Sequence, residues 1–302
     1  MGKSDLMKQI EETVLSALGL LLSLVVWSCE NVQQPDDANL TDDYLHVRAA
    51  WSPDGTTIAF SSLASNATGI YLVDANGGNL RNILSGDGLG VTWSPDGRWL
   101  AFTNAGYLHK MRPNGDSLTR LGDFYGAIRP SWSGDSSKIA FVPRDAGEGL
   151  WLYDLKADTA TQLLAYGNYP SWHPTTGEVI GLNAQYNVSS GVILYSFLAV
   201  SPSTRAVRVI SSFTTISECG FSRISPDGKS ILFSLRRPDD HVQVWLFDIN
   251  LVQHKQLTTE GGDLAAWSPD GSKIVFTRTQ PGDGTLWVMN ADGSNKRQLT
   301  RH

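Results

Sequence analysis

The chain has 302 residues, with 30 acidic and 24 basic side chains and a net charge of −6. Apolar residues make up 41% of it and charged residues only 18%, which excludes a charge-rich disordered chain. The acidic balance argues against nucleic acid as a partner, because proteins that bind a phosphate backbone need a basic surface. With 29 glycines and 10 tryptophans, the composition favours a turn-rich all-β protein.

An uncharged apolar run lies near the start of the chain, at residues 13–27, and Cys29 follows it closely. The run is shorter than the roughly 20 residues of a membrane-spanning helix and suits the apolar core of a secretory signal. The order Val-Trp-Ser-Cys at 26–29 resembles the cleavage box of bacterial lipoproteins, in which the cysteine is lipidated. We therefore expect a lipoprotein-type signal peptide at residues 1–28, lipidation of Cys29 and a flexible polar tether at residues 29–44.

Two alternatives remain for this segment: an uncleaved membrane anchor, or a cysteine without a role. The second cysteine of the chain, Cys219, bears on the choice. If Cys29 carries a lipid, Cys219 is a lone thiol and the chain has no intramolecular disulfide.

A unit of about 40 residues recurs six times along the rest of the chain. Its most regular part is a Trp-Ser-Pro-Asp-Gly turn followed by a strand such as Thr-Ile-Ala-Phe. The spacings between copies are 42, 39, 40, 52 and 43 residues, and the fourth unit is the outlier. The six copies begin at Trp51, Trp93, Trp132, Trp172, Ile224 and Trp267. Repeats of this length are typical of four-stranded propeller blades.

Inside each unit, two large apolar residues stand two positions apart and a mostly small residue separates them, as in Ile58-Ala59-Phe60. A period of two places the large residues on one face of a strand. A blade buried on both sides can then pack its large face on the small face of its neighbour. We expect the tryptophan at the end of each first strand to wedge between blades, and the aspartate of each turn to be structural.

The repeated WSPDG…IAF…LWVMNADGSNKRQLT pattern resembles the TolB-type, WD-repeat-like β-propeller repeat of bacterial envelope proteins, over residues 45–302. The resemblance implies an all-β fold, namely a six-bladed β-propeller of four-stranded antiparallel blades. TolB-type proteins carry an α/β domain before the propeller, which we do not expect within residues 1–44. A role in the Tol–Pal system is therefore not carried over. We also expect each blade to consist of consecutive strands, with none exchanged between the two ends.

The usual sequence signatures of catalysis and metal binding do not occur. Gly228-Lys229-Ser230 ends like a phosphate loop, but Arg223 stands where that loop needs its first glycine. No Gly-x-Ser-x-Gly elbow occurs, and the six histidines show no metal-ligand spacing. We therefore expect no catalytic residue, no bound metal and no cofactor, although ligands could still converge from separate blades.

Binding is expected on the loops that join the fourth strand of one blade to the next blade and the second strand to the third. These connections meet at one end of the channel, and loops on a rigid scaffold commonly carry binding. The charged candidates there are Asp87, Asp123, Arg129, Glu218, Arg236, Arg237, Asp239, Asp240, Asp263 and Arg278.

These observations predict a binding scaffold for a protein or ligand at the cell envelope, in the periplasm or at the cell surface, anchored to the membrane by its lipid. The alternative is a propeller enzyme, a glycan lyase or hydrolase with its site at the channel mouth. An enzyme needs a cluster of perturbed acids, bases or metal ligands at that mouth, whereas a scaffold needs only an exposed loop face.

Overall fold

The computed structural model describes residues 46–64, 67–144, 149–236, 241–280 and 284–301. The expectations for a signal peptide at 1–28, for lipidation of Cys29 and for a tether at 29–44 concern residues outside these ranges. No helix among the described residues is long and apolar enough to cross a membrane.

Within the described residues, 24 strands form six antiparallel sheets, each of four consecutive strands in chain order. The first three sheets consist of β1 (His46–Trp51), β2 (Thr57–Ser62), β3 (Gly69–Asp74), β4 (Arg81–Ser85); β5 (Leu89–Trp93), β6 (Leu100–Asn104), β7 (Tyr107–Met111), β8 (Thr119–Tyr125); β9 (Ala127–Trp132), β10 (Lys138–Pro143), β11 (Leu150–Asp154) and β12 (Thr159–Leu164). The last three consist of β13 (Asn168–Trp172), β14 (Val179–Asn187), β15 (Val192–Val200), β16 (Val207–Thr215); β17 (Cys219–Ile224), β18 (Ser230–Arg236), β19 (Val242–Asp248), β20 (Gln253–Gln256); β21 (Asp263–Trp267), β22 (Lys273–Thr277), β23 (Leu286–Asn290) and β24 (Arg297–Gln298).

The first strand of each sheet, here called the inner strand, contacts the inner strands of both neighbouring sheets. These contacts run from β1 through β5, β9, β13, β17 and β21 and return to β1. The sheets are therefore the blades of a closed six-bladed propeller, and the predicted fold is confirmed.

The turn that follows each inner strand is held by its own side chains. In the first blade, the Ser52 hydroxyl donates to a carboxylate oxygen of Asp54 at 2.6 Å, and the Thr56 amide donates to the same oxygen at 3.0 Å. The hydrogen bond from Ser52 is the main cause of the lowered pKa of Asp54. The same serine–aspartate pair occurs in four further blades: Ser94–Asp96, Ser133–Asp135, Ser225–Asp227 and Ser268–Asp270. These aspartates hold turns, as their repetition predicted.

The contacts between blades pair a large face with a small one. Ala59 of the first blade packs in one cluster with Leu100 and Phe102 of the second. Ala101 of the second blade packs likewise with Ile139 and Phe141 of the third. All of these side chains are fully buried. The alternation of large and small residues on the second strand is therefore what lets neighbouring sheets approach at interior packing density.

Among the described residues, the ring closes by packing of the last blade on the first. Val275 and Val288 of the last blade form one buried cluster with Ile58 and Phe60 of the first. The Arg297 guanidinium also donates to the Ala75 carbonyl across this junction at 2.7 Å. Every described sheet contains only consecutive strands. Residues 40–45, which would supply an exchanged strand, lie outside the described residues, so closure without an exchanged strand stays a prediction.

The tryptophans that end the inner strands lie between blades. The Trp93 indole nitrogen donates to the Ala50 carbonyl of the preceding blade at 3.2 Å. Trp172 makes the same contact with the Ser131 carbonyl at 3.0 Å. The ring of Trp93 packs against the cluster shared by the first two blades. These residues thus join adjacent inner strands through both ring packing and a hydrogen bond.

The fourth blade is longer than the others, which accounts for its 52-residue spacing. Its strands β14, β15 and β16 have nine residues each, whereas the described strands elsewhere have seven or fewer. The segment at 184–191, which we expected to be a loop, is strand up to Asn187 and pairs with β15. The repeat pattern alone did not indicate this extension.

We expect Trp93→Ala to lower the free energy of unfolding by about 3 kcal/mol, the lower end of the range for a large aromatic, because Trp93 is only partly buried. Asp96→Ala is expected to cost about 1 kcal/mol, since it removes turn hydrogen bonds at an exposed site. Chemical denaturation of the three proteins measures both values. A larger loss for Asp96→Ala would mean that the turn, not the wedge, dominates stability.

Candidate functional site

Every inner strand contains a β-bulge three residues before its last residue, where its pairing with the second strand changes register. The bulge residues all have left-handed backbone angles, with φ between 46° and 69°. In chain order they are Arg48, Gly90, Arg129, Tyr169, Phe221 and Leu264. Only one of them is glycine, so the ring holds the other five side chains in a conformation that they rarely adopt alone.

Two of the six bulge positions carry arginine, and both side chains are buried. In Arg129, one Nη donates to the Asn168 side-chain oxygen and the other to the Tyr169 hydroxyl at 3.2 Å. Its guanidinium also lies 4.0 Å from the centre of the Tyr169 ring. Arg129 was expected in a loop at the channel mouth, but it lies within β9 and binds the next blade.

A third arginine, Arg223, lies one residue before the end of β17. Its Nη1 donates to the Pro170 carbonyl of the fourth blade at 2.6 Å, and its guanidinium lies 5.3 Å from the Phe221 ring centre. Burial, together with the positive charges of Arg48 and Arg129, lowers the pKa of Arg223 to about 10. The three guanidinium groups are therefore close enough to repel one another inside the ring.

Asp263 is the first residue of β21, and its carboxylate accepts hydrogen bonds from the Ser234 hydroxyl and, at 2.6 Å, from the Leu264 amide. Burial is the largest effect and raises the pKa of the Asp263 carboxyl above its ordinary value. The hydrogen bonds and the charges of Arg48 and Arg236 oppose this rise without cancelling it. Asp263 was expected on an exposed loop, yet it lies at the start of an inner strand near Arg48.

A cavity of about 240 Å³ lies where the inner strands end. Its wall contains the last two residues of each inner strand, one of which is Arg223. Two prolines from the following turns complete this part of the wall. The tryptophans among them are Trp51, Trp93, Trp132, Trp172 and Trp267. This cavity, here called the tryptophan-ring cavity, is therefore at the opposite end of the channel from the predicted loop face.

The other predicted loop-face residues lie mostly at the surface. Asp87 is exposed in the connection between β4 and β5. Asp123 is expected in a loop but lies in the outer strand β8, 2.8 Å from Arg120 and almost fully exposed. Arg237, Asp239 and Asp240 fall outside the described residues.

Two ion pairs connect other predicted residues. Glu218 and Arg236 are 3.2 Å apart, and Arg278 is 3.1 Å from Glu260. The Arg278 guanidinium also lies 4.5 Å from the Trp287 ring centre. Both pairs are partly exposed, so they contribute little to stability and leave charged groups at the loop face.

The loop face also presents apolar side chains on the extension of the fourth blade. Val188, in the β14–β15 turn, is 81% exposed, and Ile216, just after β16, is 73% exposed. Tyr186 and Leu194 are also exposed near the tip of this hairpin, on opposite faces of the sheet, because Tyr186 pairs with Ile193 and Leu194 with Gln185. These four residues around the end of the extended blade are here called the blade-four patch. Among the described residues, no group of three or more His, Cys, Asp or Glu is placed to hold a metal ion.

Comparison with known proteins supports the repeat resemblance. No protein-family profile matches the chain. A stretch of 150 residues is 29% identical to an uncharacterized protein of Agrobacterium fabrum and covers 42% of this chain and 51% of that protein. A stretch of 76 residues is 36% identical to the Tol-Pal system protein TolB of Anaeromyxobacter dehalogenans, which is 25% of this chain and 17% of that one. The chain thus matches about half or less of each relative's length.

The solved structure of putative TolB from Agrobacterium tumefaciens matches with a TM-score of 0.61 at 17% identity, over 73% of this chain and 84% of that one. The chain is a TolB-like β-propeller. At this identity the structural match establishes the fold alone.

Two sets of residues in this TolB-like propeller are absent from the sites predicted from sequence. The first is the bulge residues other than Arg129, whose types differ from blade to blade and therefore form no motif. The second is Arg223, which lies in an inner strand rather than in a loop. A sequence signal did exist, since arginine occurs within four residues of the inner-strand end in three of the six repeats.

The bulges can be tested at Gly90, which has φ of 69°. A β-carbon there meets only ordinary contacts, 3.5 Å from Pro130 and 3.7 Å from Arg48. We expect Gly90→Ala to cost about 1 kcal/mol, from backbone strain alone. Gly134→Ala is the control, because its β-carbon would meet nothing within 4 Å, and it should be nearly neutral in the same denaturation experiment. Equal effects of the two changes would contradict the left-handed bulge.

Proposed function

We propose that this TolB-like propeller is a binding scaffold at the bacterial cell envelope, outside the cytoplasm, held at the membrane by a lipid on Cys29. The sequence likeness to a Tol-Pal system protein supports an envelope location. The apolar run before Cys29 supports export and anchoring. The scaffold itself has a rigid ring of blades and a loop face of mixed chemistry.

The observation that carries the binding role is the blade-four patch. Scattered single apolar residues are common on protein surfaces, but here four lie along one extended hairpin and the strand beside it. The extension lengthens only the strands of the fourth blade. Ring closure does not need this extra length, because the other five blades close with shorter strands. We therefore assign the extension to contact with a partner protein.

The charged groups beside this patch suit the rim of such an interface. Glu218 lies between β16 and β17, and Arg236 is the last residue of β18, at the same end of the ring. Protein interfaces commonly surround an apolar centre with a polar, solvent-accessible rim. A protein with an apolar contact surface and both signs of charge at its edge is thus the expected partner.

A pair of matched double variants tests this assignment. Val188→Ser with Ile216→Ser removes the most exposed side chains of the patch. Val207→Ser with Val209→Ser changes two exposed valines of β16 at the opposite end of the blade, 40% and 59% exposed. Immobilised proteins are used to capture partners from envelope extracts. We expect capture by the patch variant to fall about tenfold or more, because each truncated interface side chain can cost about 1 kcal/mol.

The control variant should capture as the unchanged protein does. If the patch variant retains the same partners at the same strength, or if the control loses them equally, the blade-four patch is not the binding surface. Circular dichroism of both variants establishes that the fold is intact.

The anchor is tested in cells that express the full chain with a radiolabelled or clickable fatty acid. We expect Cys29→Ala to abolish labelling and the shift to the processed lipoprotein form. Cys219→Ala is the matched control, because Cys219 is buried in the core and should leave labelling unchanged. Persistent labelling of Cys29→Ala would exclude this cysteine as the lipid site.

A further inference from the structure

The tryptophan-ring cavity is rich in hydrogen-bond donors. Its single arginine, Arg223, lies in the wall beside the hydroxyl groups of Thr92, Ser131 and Ser171. The Ser171 hydroxyl already accepts a bond from the Ile224 amide at 3.3 Å. The hydroxyls of Thr92 and Ser131 bond to no other described residue, so both are available to a ligand in the cavity.

The tryptophan rings contribute apolar surface to the same wall, and their indole nitrogens lie between the blades rather than at the cavity surface. Those of Trp93 and Trp172 bond to carbonyls of the preceding blades. The indole nitrogens of Trp51, Trp132 and Trp267 are buried and have no hydrogen-bond partner among the described residues. Trp51 and Trp132 are more than nine-tenths buried.

The charge in this part of the channel is positive. No described carboxylate forms an ion pair with Arg223, and its one side-chain hydrogen bond among the described residues is to the neutral Pro170 carbonyl. Arg48 and Arg129 lie deeper in the same ring and add to the positive potential at Arg223. The Asp263 carboxylate lies near Arg48, whereas Arg223 lines the cavity wall, so an anion in the cavity would be attracted chiefly to Arg223.

We propose that the tryptophan-ring cavity binds a small oxyanion, inorganic phosphate or a small carboxylate, with Arg223 as its charged contact and Thr92 and Ser131 as hydroxyl donors. The volume of about 240 Å³ lies below the roughly 300–1,000 Å³ of pockets for drug-sized ligands. A guanidinium suits phosphate and carboxylate because its planar donors match two oxygens at once. The site is at the opposite end of the channel from the blade-four patch and does not depend on the scaffold role.

The experiment titrates inorganic phosphate, and separately acetate, into the folded protein at constant ionic strength with chloride as the replaced ion. Isothermal calorimetry measures binding, and the emission of the cavity tryptophans reports whether the anion enters the ring. Arg223→Gln removes the charged contact. Arg81→Gln is the control, because Arg81 is an exposed residue of β4 whose one described bond is to a backbone carbonyl.

We expect saturable binding of at least one anion to the unchanged protein and to Arg81→Gln, with a change in tryptophan emission. The affinity of Arg223→Gln for that anion should be lower by about tenfold or more, since a charge-assisted contact is lost. Equal binding by Arg223→Gln, or no saturable binding of either anion to the folded unchanged protein, would overturn the site.

A second variant keeps the test decisive if Arg223→Gln does not fold. Thr92→Val with Ser131→Ala keeps all three arginines and removes the two available hydroxyls. It is expected to weaken binding severalfold and to keep the emission change at saturation. Unaltered affinity in this folded double variant would likewise overturn the site.

Discussion

Every blade of this propeller is buried on both faces, and no blade is stable without a neighbour on each side. The residues of the second strand meet that constraint by presenting large side chains to one neighbour and small ones to the other, as Phe60 and Ala59 do. A larger residue in place of Ala59 would overfill the contact with Phe102, because the interior is already at full packing density. The ring, rather than any single sheet, is therefore the unit that folds.

The parts of the fold that the sequence predicted depend on local chemistry. The Ser-Pro-Asp-Gly turn forms its own hydrogen bonds within five residues, so its pattern is visible in each repeat. The period of two on the second strand is equally local. Both recur at near-constant spacing, and together they identified the six blades and their order.

The bulges depend instead on the ring. Arginine, tyrosine, phenylalanine and leucine all take left-handed angles at the same inner-strand position, although none of them favours it. The crowding of six inner strands around one channel imposes this left-handed backbone conformation, and no local sequence pattern indicates it. For the same reason, Arg129 and Asp263 were assigned to loops when they lie in inner strands. The blade-four extension was missed because its strand residues resemble an unusually polar loop.

The two ends of the channel differ in how strongly hydrogen bonding restricts the residue types of their loops. The turns beside the tryptophan-ring cavity are nearly the same in five blades, since each must hold a serine, an aspartate and a left-handed residue such as Gly55. The described parts of the loops at the other end have no such shared bond, and these loops differ in length and charge. A partner that recognises one blade must contact that variable end, whereas a ligand on the channel axis meets all six inner strands together.

The junction between the last and first blades has a consequence for chain order. Because no described strand is shared across it, this junction is a packed interface like the other five, with a hydrogen bond from Arg297 to Ala75 in addition. The packing between blades is therefore of the same kind whether or not the chain ends lie at that junction. A circular permutant that joins the present ends with a short linker and opens at another connection between blades would keep every sheet whole. Because each described blade consists of consecutive strands, one complete blade could be gained or lost in a single insertion or deletion without leaving an unpaired strand.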